Sequence, residues 1–223
     1  MLINPNSHLY VYVIARDFGF APNPFFGSCT LATCKPGIRK GAQIDDWVLG
    51  VAGRKLGRNL HRKCILLMKV TEKMSFQEYW NDERFELKKP CRNGSLIKMV
   101  GDNIYHKDEF GNWQQEDSHH SLSDGTTNRE NLRRDTGSCE EVLVSEKFLY
   151  FGNQAVEVDL ESINYKTGVG FKKISLGLSP ASQNLISNIY RDNRKNLNMV
   201  ISDPCQFEDS FQRVDQVTGK LTS

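Results

Sequence analysis

The sequence has no hydrophobic run long enough to cross a membrane. Its apolar stretches are short, such as the one from Cys64 to Met68 with Val70 just beyond, whereas a transmembrane helix needs about 20 apolar residues. A basic segment followed by an apolar core, the mark of a secretory signal, is also lacking at the start of the sequence. We therefore expect a cytoplasmic protein without a membrane role.

The sequence also has little net charge. Its 223 residues include 29 Lys and Arg against 27 Asp and Glu, which gives a formal net charge of +2. The net charge of the whole molecule therefore does not favour binding to nucleic acid, and any basic surface must be local. A hydrophobic content of 39% is ordinary for a folded protein. We expect one globular domain over residues 1–200 with a polar insertion at about 107–141, followed by a C-terminal tail at 201–223, which we expect to fray over residues 209–223.

Signatures of known chemistry are scarce. Residues 50–55 lack the Gly-Lys-Ser/Thr ending of a phosphate-binding loop, and no nucleophile-elbow serine or dinucleotide fingerprint is present. The six cysteines are scattered and match no zinc signature, so we expect neither a metal nor a cofactor. Cys29 and Cys34 are interpreted as buried structural thiols. The alternative is a nucleophilic cysteine that Lys35 and Arg39 activate.

The secondary structure is predicted from apolar runs and capping residues. Runs rich in aromatic and β-branched residues predict strands over 9–15, 47–51, 63–70, 142–144 and 148–151. Ser75 is expected to cap a short helix over residues 76–80, and Ser179 with Pro180 to begin a longer helix that extends to Tyr190. These elements predict an α+β fold, either a small bent β-barrel or a strongly curved mixed sheet with a few helices. In pattern alone, this order resembles small barrels of the pseudouridine-synthase-and-archaeosine-transglycosylase type.

Three of the five histidines, His106, His119 and His120, lie close together in the sequence, and Asp102 precedes them. Imidazole titrates near neutral pH and can transfer protons or bind metal. For His119 and His120 a solvated loop is the favoured interpretation, and catalysis or ligand contact is the alternative. In a strand after Gly101, alternation would place Asp102 and His106 on one face. His106 is therefore the histidine that we expect in a pocket.

Basic residues are concentrated in one region, which comprises Lys35, Arg39, Lys40, Arg54, Lys55, Arg58, His61, Arg62 and Lys63. For residues 54–63, a solvated loop and an anion-binding surface are equally open interpretations. Lys35 and Arg39 lie between Gly and Pro turns, so for them we favour phosphate binding. A neighbouring aromatic ring such as that of Trp47 could stack on a base.

Several motifs of this sequence occur together in one known family. They are Ala-Pro-Asn-Pro-Phe at 21–25, Cys-Lys-Pro at 34–36, Ile-Arg-Lys at 38–40, Asp-Trp-Val-Leu-Gly at 46–50, Gly-Asp-Asn-Ile-Tyr-His at 101–106 and Phe-Leu-Tyr-Phe-Gly at 148–152. The chain resembles the nucleotide modification associated domain family of the second type. That resemblance implies a bacterial or phage protein whose relatives accompany DNA-base modification or conflict systems.

The leading hypothesis is recognition of a phosphate-bearing nucleotide or of a nucleobase, such as a modified base in DNA. The expected ligand-binding residues are Arg16, Asn23, Thr30, Lys35, Arg39, Trp47, Asn103 and Tyr105. One alternative is an enzyme that acts on a nucleotide, a base or a glycosidic bond by acid/base chemistry, for which the expected residues are Asp17, Asp102, His106 and His119. Another is a protein-interaction subunit of a modification or defence complex.

Overall fold

The computed structural model describes residues 3–166, 168–215, 218 and 220–222. Its strands are β1 (His8–Ile14), β2 (Cys29–Leu31), β3 (Trp47–Ala52), β4 (Cys64–Lys69), β5 (Glu72–Ser75), β6 (Tyr105–Lys107), β7 (Trp113–Gln115), β8 (Glu141–Ser145), β9 (Lys147–Tyr150), β10 (Phe171–Ser175), β11 (Arg213–Val214) and β12 (Leu221–Thr222). Its α-helices are α1 (Pro36–Gly41), α2 (Phe76–Asn81), α3 (Leu96–Met99), α4 (Arg129–Thr136) and α5 (Pro180–Asp192). Short 3-10 helices cover Arg54–Leu56, Glu83–Lys88, Gly152–Gln154, Leu176–Leu178, Arg194–Asn196 and Phe207–Asp209.

A mixed five-stranded sheet lies at the centre of the fold, in the order β10-β1-β3-β4-β9. β1 is parallel to β3 and antiparallel to β10, and β4 is antiparallel to both β3 and β9. Every residue of β3 is buried, as expected for a strand covered on both faces. The strands predicted over residues 9–15, 47–51 and 63–70 are confirmed.

Two neighbouring strands bend together from this sheet into a second one. β4 leads into β5 and β8 leads into β9, and the second sheet has the order β2-β8-β5. The pairing continues across the bend, since Lys69 faces Lys147 and Glu72 faces Val144. Between these pairs, the amide of Thr71 donates to the carbonyl of Val144 over 2.9 Å. The α+β class is confirmed, and the described strands form open sheets and not a closed barrel. The likeness to the transglycosylase-type barrels stays a prediction.

Different elements cover the two faces of the five-stranded sheet. On one face, Leu185 and Ile189 of α5 pack in the same cluster as Leu49 of β3. On the other face, Tyr12 of β1 packs with Ile38 of α1 and with residues of β2 and β8. The second sheet therefore lies against this face of the first.

Both predicted helices begin at the predicted caps. Ser75 Oγ accepts from the amide of Glu78 over 3.1 Å, and the Glu78 carboxylate accepts from the amide of Ser75 over 2.7 Å, which makes a capping box. At the start of α5, the side chain of Ser179 accepts from the amide of Ser182. No helix within the described residues combines the length and apolar character that a membrane span requires.

The polar segment and the C-terminal residues fold back onto the sheets. Residues 118–121 are buried. The side-chain Nδ2 of Asn131 in α4 donates to the carbonyls of His120 and Val214 over 2.7 and 2.8 Å. Val214 in turn donates its amide to the carbonyl of His119 over 2.8 Å. Residues 209–215 are thus packed rather than frayed, while residues 216, 217, 219 and 223 of the expected tail lie outside the described residues.

Replacing Ser75 with Ala is expected to lower the free energy of unfolding by about 1 kcal/mol, because the hydrogen bond to the Glu78 amide is lost. Chemical denaturation measures this change. Ser95 precedes α3 but makes no capping hydrogen bond with its side chain, so Ser95→Ala is the matched control and should be nearly neutral. Equal losses in the two variants would contradict the assignment of the cap.

Candidate functional site

A cavity of about 270 Å³ opens where the chain leaves β1. Its apolar wall includes Tyr12, Ile14, Phe18 and Phe20, and its polar lining residues are Arg16, Cys34, Lys35, Lys55, His119 and His120. The ring of His119 lies 4.6 Å from that of Phe18 between centroids, and the ring of His120 lies 4.7 Å from that of Phe20. We call this the Cys34 cavity.

Three side chains at the Cys34 cavity form a cysteine–histidine–aspartate series. Sγ of Cys34 lies 3.8 Å from Nε2 of His120, and Nδ1 of His120 lies 2.8 Å from Oδ2 of Asp135. His120 and Asp135 are buried, whereas Cys34 is half-buried at the cavity wall. In cysteine enzymes such a histidine takes up and returns the proton of the nucleophile, and the carboxylate orients the imidazole.

The Asp135 carboxylate also positions the backbone of Cys34. Its Oδ1 accepts from the amide of Cys34 over 2.8 Å, and its Oδ2 accepts from the hydroxyl of Tyr105 over 2.9 Å. Cys34 and Lys35 adopt positive φ angles of 56° and 40°, a region that costs residues other than glycine free energy. The bond from Asp135 helps to hold this strained turn, so the sulfur is kept beside His120.

Arg39 braces the same turn from inside the protein. Its guanidinium is fully buried and donates to the carbonyl of Cys34 over 2.8 Å and to the carbonyl of Glu141 over 2.7 Å. It also donates to the carbonyls of Asp135 and Cys139. Arg39 therefore links the Cys34 turn, the end of α4 and the start of β8. This role replaces the phosphate contact expected from sequence, because the guanidinium is used within the protein.

The two adjacent histidines differ in charge. Burial opposes the charged form of His120, but the nearby Asp135 carboxylate and Cys34 sulfur outweigh it and raise the pKa of His120 above its usual value. The pKa of Asp135 stays below its usual value despite burial, because His120 is close. Burial and the neighbouring His120 lower the pKa of His119 to about 3. His120 is thus the charged partner of the site, and neutral His119 donates Nδ1–H to the carbonyl of Gln212 over 2.6 Å.

Two more polar groups at the cavity are suited to ligand contact. The hydroxyl of Tyr12 is buried and has no hydrogen-bond partner among the residues that the structure describes. Nζ of Lys35 lies 5.0 Å from the centre of the Tyr12 ring and 3.4 Å from the carbonyl of Val13. Burial lowers the pKa of Lys35. A buried polar group without a partner is costly, so an acceptor or donor on a ligand would be favoured here.

Some of the residues predicted from sequence meet at this cavity. Arg16, Lys35 and His119 line it, and Tyr105 reaches the site through its bond to Asp135. Asp17 does not line it: its carboxylate is buried and accepts from the hydroxyl of Tyr150 and the amide of Cys205. Burial raises the pKa of Asp17. Asp17 therefore fastens the C-terminal segment to the sheet.

His106 lies elsewhere, which reverses the expectation for the histidines. Its ring stacks on Trp80 with centroids 4.1 Å apart, and its Nε2 lies 3.0 Å from the carboxylate of Glu116. The structure brings His119 and His120 to the cavity instead. The reason is that the chain around residues 118–121 folds inward between α4 and β11. His119 and His120 are therefore buried rather than solvated.

Asp102 belongs to a separate buried network. Its carboxylate accepts from Thr30 Oγ1 over 2.6 Å and from the hydroxyl of Tyr79 over 2.8 Å. Lys88 Nζ lies in the same region and donates to Asn23 Oδ1 over 2.8 Å. Burial raises the pKa of Asp102, and Lys88 opposes that shift. This network braces the loop before β2. The remaining predicted ligand residues are also buried, and they do not line the cavity. They are Arg39, Trp47 and Asn103.

The sequence does not single out the cysteine–histidine–aspartate series that the fold assembles. Cys29 is a buried thiol whose pKa burial raises, in keeping with its structural interpretation, but Cys34 faces the cavity. For His120 the sequence favours a solvated loop, with catalysis or ligand contact as the alternative. Asp135 carries no local signal, because 101 positions separate it from Cys34. The one available signal was the position of Cys34 within a Gly/Pro-rich motif.

The fold and the site together define an α+β protein with a cysteine–histidine–aspartate series beside an aromatic cavity. The family model of the nucleotide modification associated domain 2 matches residues 6–211. The chain belongs to this family, which its name associates with nucleotide modification. Searches of the curated proteins and of the solved structures found no significant match. The matched residues include Cys34, His120 and Asp135.

Arg39→Lys is expected to lower the free energy of unfolding by about 1–3 kcal/mol. The single ammonium of lysine cannot donate to all the carbonyls that the planar guanidinium of Arg39 reaches. Urea denaturation measures the loss. The exposed neighbour Lys40 supplies the control, since Lys40→Arg should change stability little. Unaltered stability of Arg39→Lys would refute its bracing role.

The stability effects of the two histidines should depend on pH in opposite directions. The folded-state pKa of His120 is raised, so its stabilising effect is full below the unfolded value of about 6.5 and fades as pH rises through the raised pKa. His119 has a lowered pKa, so its contribution is full above about 6.5 and fades in acid. The loss in unfolding free energy caused by His120→Gln should therefore shrink towards alkaline pH, and that caused by His119→Gln should shrink towards acid. Parallel profiles would contradict the assigned charges.

Proposed function

We propose that the protein is an enzyme that binds a nucleotide or nucleobase in the Cys34 cavity and acts on it through a cysteine nucleophile. The observation that carries this proposal is the series from Cys34 to His120 to Asp135, with separations of 3.8 and 2.8 Å. A half-buried thiol beside a charged imidazole, at the wall of a cavity, is the arrangement of reactive rather than structural cysteines.

The chemical step follows from these three groups. The thiolate of Cys34 attacks an electrophilic carbon of the bound base or of an acyl group attached to it, and a carbon–sulfur bond forms. The bond from that carbon to its oxygen- or nitrogen-linked leaving group breaks, the leaving group takes the electron pair, and the imidazolium of His120 supplies its proton. Neutral His120 then takes a proton from water or a second substrate, whose oxygen or nitrogen bonds to the same carbon, and the carbon–sulfur bond breaks to return the thiolate of Cys34. Asp135 keeps Nδ1 of His120 protonated, so that Nε2 performs both transfers.

The walls of the cavity suit a flat heteroaromatic ring. The rings of Phe18, Phe20 and His119 offer faces and edges for stacking, and the Tyr12 hydroxyl can hydrogen-bond a ring substituent. Lys35 and Arg16 provide positive charge for a phosphate at the same cavity. These contacts and the association of the family with nucleotide modification support a nucleotide or nucleobase as the substrate.

Recognition without chemistry is the second candidate function. A recognition module needs the aromatic walls and the cations, but it gains nothing from a thiol placed beside a buried, charged histidine. The enzyme is favoured for this reason. Its chemistry differs from the acid/base scheme expected from sequence, since Asp102 and His106 lie outside the cavity lining and a thiol is added.

The test combines thiol reactivity with a search for conversion. Iodoacetamide at neutral pH should modify Cys34 well before Cys91, which is the exposed thiol and the internal standard, because His120 stabilises the attacking thiolate. His120→Gln should slow modification of Cys34 by about tenfold or more, and leave that of Cys91 unchanged. Peptide mass spectrometry after timed quenching gives both rates.

Conversion is followed by mass spectrometry of nucleosides, nucleotides and short oligonucleotides incubated with the protein. Cys34→Ala should abolish any mass change, and Cys91→Ala should preserve it; circular dichroism checks that both variants are folded. Reactivity of Cys34 no greater than that of Cys91, together with ligand binding but no conversion, would overturn the enzyme in favour of the recognition module.

A further inference from the structure

Two further depressions adjoin the Cys34 cavity. A depression of about 540 Å³ shares Val13, Ala15 and Lys35 with it. A third, of about 390 Å³, shares Arg54 and His61 with the second. The three therefore form a series that starts at the cavity, passes Lys35 and ends beyond Arg54. We call the second and third depressions, with Lys35 at their start, the basic groove.

The charge of this surface has one sign. Among the described residues that line the three depressions there is no Asp or Glu. Cations occur at each stage: Lys35 and Lys55 at the cavity, Arg54 in the second depression and Arg58 in the third. Because the whole chain has a formal net charge of only +2, this concentration is a local feature of the fold.

Two basic residues beside the groove are paired with acidic side chains, whereas the two arginines of the groove form no ion pair with a described residue. Arg62 pairs with Glu161, and Lys63 Nζ lies 3.0 Å from the Glu157 carboxylate. Arg54 and Arg58 are exposed and form no ion pair with any described residue. The same short stretch of chain thus contains two paired cations and two that remain open to an anionic ligand.

We propose that the basic groove binds the sugar–phosphate backbone of a single-stranded polynucleotide whose target base enters the Cys34 cavity. This inference rests on the proposed function of that cavity. A free nucleotide would engage the cations at the cavity, Arg16, Lys35 and Lys55, and would leave Arg54 and Arg58 without a role. A strand supplies successive phosphates for such a series of cations. A single strand is favoured because a base within a duplex is stacked and must first be extruded, at a cost in free energy, to reach the sulfur.

Binding is measured by fluorescence anisotropy with the Cys34→Ala protein, which retains the groove and cannot react through the thiol. The probes are labelled DNA and RNA single strands of about 12 nucleotides, with the corresponding duplex and inorganic polyphosphate as competitors. The test variant is Arg54→Gln/Arg58→Gln. The matched control is Arg62→Gln/Lys63→Gln, which removes the same charge from the same stretch at paired positions. Thermal melting verifies that each variant is folded.

The single strand is expected to bind more tightly than the duplex, and polyphosphate is expected to compete poorly because it offers no base. The Arg54→Gln/Arg58→Gln variant should bind at least about tenfold more weakly. Its slope of log affinity against log salt should fall by roughly 1.4, since each phosphate contact to a single strand contributes about 0.7. The control should retain most of the affinity and the slope. Comparison of the DNA and RNA probes identifies the sugar.

Three results would overturn the groove: equal affinity of the Cys34→Ala protein with and without the Arg54→Gln/Arg58→Gln changes, an equal loss of affinity in the Arg62→Gln/Lys63→Gln control, or competition by polyphosphate as strong as that by the unlabelled single strand. These results are separate from the fate of the proposed enzyme. Strand binding with an unreactive Cys34 would keep the groove and remove the cysteine chemistry. Conversion of free nucleotides without strand binding would keep the cysteine chemistry and remove the groove.

Discussion

The candidate site depends on the buried carboxylate of Asp135. It accepts hydrogen bonds from the backbone of Cys34, the imidazole of His120 and the hydroxyl of Tyr105, so one group aligns Cys34 with His120. A buried charge is costly unless it is paired and fully hydrogen-bonded. The positive charge of His120 meets that condition, and it is also what the proposed chemistry needs. Stability and reactivity therefore rest on the same ion pair.

The position of Asp135 explains why Arg39 is buried beside it. Asp135 lies in the last turn of α4, where a carboxylate is unfavourable next to the negative end of the helix dipole. The guanidinium of Arg39 donates to the Asp135 carbonyl and to that of Cys34, so it satisfies the helix end and the strained turn together. Loss of either charged group would leave buried polar atoms of the other segment without partners.

The second buried network and the exposed arginines both lie apart from the proposed catalytic groups. Lys88 and Asp102 satisfy the buried loop before β2, and the charges of Arg54 and Arg58 remain at the surface beyond the Cys34 cavity. A phosphate-bearing substrate would thus meet cations whose side chains are free to move, while the reactive thiol is held by buried bonds. This division allows a flexible strand to bind while the reacting group stays in place.

The sequence by itself determined the elements whose causes are local. The strands over residues 9–15 and 47–51 follow from runs of apolar and β-branched residues, and the helices after Ser75 and Ser179 follow from caps only a few residues long. The motifs spread from Ala21 to Gly152 indicated the family, which the family model confirms. Only the tertiary structure decided which polar residues meet, because the bonds between Cys34, His120 and Asp135 join segments far apart in the chain. Residue type cannot show whether an arginine or a histidine is buried or exposed; the inward fold of the polar segment decides that for His120, and the carbonyls around Arg39 decide it there.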